Sequence, residues 1–236
     1  MALEDILAFL KSQPPKEGAK DKPLDSYCGA VSEELAETKV RLAVYRKIIE
    51  RYAEVVNVGE QKAIPELKSL VNPDDATVRL LKSKFIEELS VAYQGAWNYS
   101  SERDFEGYAK KAFALVSALK PVHANLNVTY WLSPADIVEV GAADPLDKAI
   151  LLASLFVAGG CKDARVRLVS LEGGAKHAVV LCSAGGQVEL WDAASGVKLA
   201  GKTVDEVLGR YDFGGKKIAK NLYEFNNLDY QDFEET

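Results

Sequence analysis

Asp144-Pro145-Leu146-Asp147-Lys148-Ala149-Ile150-Leu151-Leu152-Ala153-Ser154-Leu155-Phe156-Val157-Ala158-Gly159-Gly160 is the stretch whose reading decides the fold. From Ala149 to Ala158 every side chain but Ser154 is apolar. A helix that is greasy nearly all round has no face to give to water, so this one is predicted to lie buried at the centre of its domain. Asp144 stands where an N-cap belongs, Pro145 falls at the first helical position, where its missing N–H costs nothing, and the paired glycines close the helix.

Working outward, three stretches downstream read as strands, roughly 164–171, 177–183 and 187–192. Gly173-Gly174 and Gly185-Gly186 separate them at hairpin spacing, which predicts an antiparallel sheet. Asp192 is placed to cap a turn through Ala193, Ala194, Ser195 and Gly196. Thr203 with Glu206 starts a short helix, and 218–225 reads as a last strand.

Upstream the texture is helical. Leu3, Ile6, Leu7 and Leu10 mark a short amphipathic helix over 3–11, followed by a Lys/Pro/Gly-rich linker to Asp25. A long helix is predicted over about 28–56, where Leu35, Leu42, Ile49 and Val56 recur every seven residues with Thr38, Tyr45 and Tyr52 between them. That stripe either packs inside the molecule or forms a homodimer seam over about 31–56. A short helix runs from Pro65 to Val71. Asn72 and Pro73 look like an N-cap and first position of the next, which carries Val78, Leu81, Phe85, Leu89 and Tyr93 towards Trp97. Another opens at Ser101 and carries Tyr108, Ala112, Leu115, Val116 and Leu119 until Pro121. Leu126, Val128, Tyr130 and Leu132 alternate as a strand, and Ser133-Pro134 begins a helix ending near Val140. The expected class is α+β: a helical N-terminal half, then a buried central helix packed on an antiparallel sheet. The expected division is a helical region over 1–71 and an α+β domain over 72–236.

Composition narrows the function. A net charge of −6, with no dense Lys/Arg cluster, argues against a nucleic-acid surface. Cys28, Cys161 and Cys182 are an odd number at wide spacing and read as reduced thiols; with only His123 and His177 for company, they suggest no metal centre. An acidic start and no run near ~20 apolar residues point to a cytoplasmic protein off the membrane. No cofactor is expected.

Ala143-Asp144-Pro145 at the helix start, Lys176-His177-Ala178 and Leu190-Trp191-Asp192 together carry a resemblance. Over about 72–195 the chain resembles the transglutaminase-like superfamily, especially small archaeal and bacterial members described as predicted cysteine proteases. The resemblance implies a papain-like core whose central helix starts at a Cys, activated by the helix N-terminus, by a His on a following strand and by an Asp that orients it. Carried over, Asp144 precedes the nucleophile, Asp147 lies two after it, His177 is the base and Asp192 its orienter. Pro145 stands where the Cys belongs and has no nucleophilic atom. Cys182 is five residues along the strand from His177, about 16 Å at ~3.3 Å per residue. Cys161 is sixteen residues from Pro145, about 24 Å along a helix. Neither replaces it.

The implied function is a catalytically degenerate domain that binds a peptide or protein partner. The alternative is a hydrolase or acyl-transfer enzyme in which His177 and Asp192 activate a water or an unrecognised nucleophile. Each residue also has a plain reading: Asp144 and Asp147 as helix-start caps, His177 as a strand His bonded to Asp192, and Trp131 and Trp191 as core residues rather than walls of a binding pocket.

Overall fold

Asp144 opens the central helix as expected: its carboxylate accepts from the Asp147 N–H at 2.8 Å, Pro145 sits in the first turn, and Gly160 closes the helix at φ +110°. This computed structural model describes residues 24–52, 64–91, 97–122 and 131–233. Their helices are α1 Leu24–Tyr52, α2 Ile64–Leu70, α3 Ala76–Ser90, α4 Ser101–Ala118, α5 Pro134–Val140, α6 Pro145–Gly159 and α7 Val204–Arg210. The strands are β1 Lys120–Pro121, β2 Ala142–Ala143, β3 Arg165–Leu171, β4 Lys176–Ala184, β5 Gln187–Asp192, β6 Val197–Gly201, β7 Ile218–Phe225 and β8 Tyr230–Asp232. The class is α+β.

The main sheet has six strands in the order β6-β5-β4-β3-β7-β8, every neighbouring pair antiparallel. Helix α6 lies against β4, with α3 and α4 packed on it. Ile150, Leu151, Leu152, Leu155 and Phe156 are all fully buried there, each worth roughly 1.5–3 kcal/mol of hydrophobic burial. The Tyr108 ring of α4 packs against the end of α6, and its hydroxyl donates to the Leu155 carbonyl at 2.9 Å. Gly159 makes that approach possible, because a Cβ there would stand 2.3 Å from the Tyr108 ring.

The opposite face of the sheet has its own smaller core. Val169 and Leu171 of β3, Val179 and Leu181 of β4, and Leu190 of β5 meet Val207, Leu208 and Tyr211 from α7 and the residues after it. A sheet covered on both faces explains why β4 reads as a nearly continuous apolar run, with no alternation to say which way a given side chain points.

The chain divides into two compact units, Met1–Lys39 and Val40–Thr236. In the first, Val31 and Leu35 of α1 are exposed. In the second, Val44 and Ile48 of α1 are buried and Tyr45 of the stripe packs half-buried against the same core, while Leu42 is exposed. The helix expected over 3–11, the far end of the long helix towards Val56 and most of the strand expected over 126–132 lie outside the described residues.

Two sequence expectations are corrected, and two strands are added. Helix α3 is capped by Asp75, whose carboxylate accepts from Thr77 and Val78, whereas Asn72 accepts from the Asp74 N–H at 3.0 Å and forms a turn before it. That helix ends at Ser90 rather than reaching Trp97. Strand β6 occupies 197–201, where no strand is expected from the sequence, and β8 adds a three-residue edge beyond β7.

Candidate functional site

His177 is the second residue of β4 and Asp192 the last of β5. The β4–β5 ladder ends with Val180 opposite Trp191, so one step further sets Asp192 across from Val179 and His177 on the diagonal. The two meet: His177 Nε2 lies 3.1 Å from Asp192 Oδ2. Both side chains are sealed, at 2% and 0% exposure.

The face on which they meet follows from strand alternation. Along β4, Ala178, Val180 and Cys182 enter the core that contains α6, while Val179 and Leu181 enter the smaller core on the other side. His177 shares the second set's parity, and its ring lies against Phe213 and Tyr211, with centroids 4.2 and 6.2 Å away. Asp192 likewise shares the parity of Leu190. The picture in which the imidazole is presented to the N-terminus of the central helix does not match these contacts; the ring is enclosed on the α7 side of the sheet.

Asp192 is the hub of this cluster. Its Oδ2 accepts from His177, from the Tyr211 hydroxyl at 2.7 Å and from the Ser195 hydroxyl; its Oδ1 accepts from the Ala194 N–H at 2.8 Å. Its carbonyl takes the Gly196 N–H at 2.8 Å, so the residue also closes the turn anticipated from Ala193 to Gly196. Burial alone would raise the carboxyl's pKa, but the His177, Ser195 and Tyr211 donors outweigh it and hold it below the ordinary carboxylate value. Burial, and then donation to that carboxylate, pushes the Tyr211 phenol well up. In a Ser-His-Asp triad the imidazole stands between hydroxyl and acid, so that it can take the hydroxyl proton. Here the acid stands between them, and Ser195 gives its proton to a carboxylate rather than to the base.

The residues at the tip of α6 are committed to the fold. Asp144 caps the helix, and Asp147, 1% exposed, accepts the Leu132 N–H at 2.9 Å, tying the segment before α5 to the helix. Lys148, 3% exposed, donates to the Leu119 carbonyl at 2.8 Å at the end of α4. Desolvation lowers its pKa, and the charge of Asp192 partly opposes that. Trp131 is buried and stacked on Phe225 at 6.3 Å. Trp191 packs edge-on to Phe113 and Phe156 and donates to Glu189 at 3.2 Å. Both tryptophans therefore sit in the core that holds α6.

Sequence reasoning brought His177 and Asp192 together but missed Tyr211 and the role of Ser195. Tyr211 lies nineteen positions beyond Asp192, across β6 and α7, and no local pattern marks it. Of the cysteines, Cys161 and Cys182 are both buried free thiols in the α6-side core; Cys161 is held to the Asp163 carboxylate at 3.1 Å. Among the described residues no group of three or more His, Cys, Asp or Glu is placed to hold a metal ion, and no helix is long and apolar enough to cross a membrane.

No family model matches this chain, and no curated protein does. Solved structures with similar chain paths include Legionella pneumophila LapG, 18% identical, covering 66% of this chain and 87% of that one with a TM-score of 0.45. Its EGTA-treated form matches at 18% identity over 66% and 86% of the two chains, also at 0.45. The calcium-bound form matches at 16% over 65% and 88%, with a TM-score of 0.44. These proteins are what the chain is similar to, at an identity too low to carry any residue's role across.

Proposed function

We propose that the chain is a catalytically silent domain of transglutaminase-like type that works by binding a peptide or protein partner. The observation that carries this reading is the enclosure of His177, whose side chain is 2% exposed and whose base partner is already saturated by Ser195, Tyr211 and a backbone N–H. A general base must come within hydrogen-bond reach of a substrate proton, directly or through one water. Pro145 adds to it, since the helix start that would hold a thiol holds a residue with no nucleophile. A water-activating hydrolase needs the same imidazole open to a cleft, and no contact of His177 favours it.

The test is incubation of the full chain with peptide amides, glutamine donors and esters, alongside His177→Ala. The expected result is no turnover from either protein, with His177→Ala less stable by on the order of 1–3 kcal/mol because it leaves a buried carboxylate short of a donor. Turnover that disappears in His177→Ala would overturn the reading.

A further inference from the structure

A cavity of about 580 Å³ opens at the other end of the molecule's second unit, where the start of β3, the end of β7 and the start of β8 meet the turn after α6. It is within the size range of small-ligand sites, and it shares no residue with the His177–Asp192 cluster. Its frame is rigid. Glu224, 4% exposed, is held by Arg165 at 2.9 Å and by Arg167 at 2.9 and 2.5 Å. Asn226, 7% exposed, ties down the rim, its side-chain oxygen accepting from Leu228 and Asp229 N–H groups at 2.8 and 2.7 Å.

The charges around it sort into spent and free. Both oxygens of Glu224 are engaged by arginines, and both of Asp163 by Cys161 and the Ser183 N–H. Among the described residues, Lys162 and Asp229 carry an ammonium and a carboxylate with no side-chain partner, and both line the cavity. With them, Arg165 and Arg167 offset Glu224 and Asp163, so the cavity's surroundings are close to neutral rather than anion- or cation-selective. Leu228, 60% exposed, and the half-buried Tyr230 supply an apolar rim, with the fully buried Phe225 behind them. One free cation, one free anion and an apolar rim around one small cavity match a zwitterion with an apolar side chain.

We infer that this cavity binds a short peptide of two or three residues with both termini free, its carboxylate on Lys162, its ammonium on Asp229 and an apolar side chain on Leu228. This rests on the peptide-binding reading above and gives it a place. Pre-organisation favours it, because the turn that carries Asp229 is already fixed by Asn226 and loses little freedom on binding.

The experiment is a titration of the isotope-labelled full chain with leucyl-leucine and with its N-acetyl and C-amide forms, followed by amide chemical shifts. The expected result is saturable shifts at 162 and 226–230, weakened roughly tenfold by either cap, since each removes a charge-assisted contact. Lys162→Gln should weaken the uncapped dipeptide and erase the penalty for the C-amide; Asp229→Asn should do the same for the N-acetyl form. Among the described residues neither side chain has a bonding partner, so neither variant tests folding instead. No saturable shift at about 10 mM dipeptide, or equal shifts from capped and uncapped forms, overturns the inference. That failure is separate from failure of the inactive reading, which only His177-dependent turnover would bring about.

Discussion

At the residue scale, Asp192 has the largest consequence per atom. Its folded pKa is depressed by His177, Ser195 and Tyr211 against the opposing effect of burial. A carboxyl of that kind contributes stability above its unfolded pKa, about 3.9, and the contribution is lost as pH falls through the lower folded value. Asp192→Asn should therefore cost on the order of 2–3 kcal/mol at neutral pH and flatten the loss of stability below about pH 4. Denaturant melts across pH measure both, and an unchanged acid slope would mean that the carboxylate is not held as described. Pro145 gives a second residue-scale prediction. Pro145→Cys puts a thiol on the first turn of α6, where free N–H groups favour an anion, so its pKa should fall below the ~8.5 of a free cysteine. An unshifted titration would show that this helix start cannot activate a thiol. The meeting of His177 with Asp192 was legible because hairpin spacing limits which residues can be diagonal partners. Their facing was not, because a strand buried on both sides carries no polar alternation, and the deciding neighbours, Tyr211 and Phe213, come from beyond α7.

At the element scale, α6 was the most legible part of the chain. Ten nearly unbroken apolar residues between an Asp-Pro start and a Gly-Gly end allow little besides a buried helix, and the pairs Gly173-Gly174 and Gly185-Gly186 mark the hairpins. Strand β6 is not legible because its five residues, Val197–Gly201, are too few to show a period. Gly159 tests the packing of α6 directly. A Cβ there meets the Tyr108 ring, which is fully buried and pinned by its bond to Leu155. Gly159→Ala should destabilise by about 1–3 kcal/mol despite Ala's better helix propensity. An unchanged denaturation midpoint would show that Tyr108 has room to yield.

At the scale of the second unit as a whole, two cores share one sheet, and the account depends on which of them holds the imidazole. The larger contains the buried side chains of α6 from Ala149 to Phe156; the smaller adjoins the His177–Asp192–Tyr211 cluster. The imidazole lies against Tyr211 and Phe213, on the side of the sheet away from the core that holds α6, and on the proposed reading the pair is part of the frame. The most direct measurement is hydrogen–deuterium exchange at the C2 position of the His177 ring in the native protein, which requires the imidazole to meet solvent. The account predicts exchange far slower than in the denatured chain, limited by opening of the smaller core. Exchange at the denatured rate would show an imidazole open to water and substrate, and would contradict the central claim.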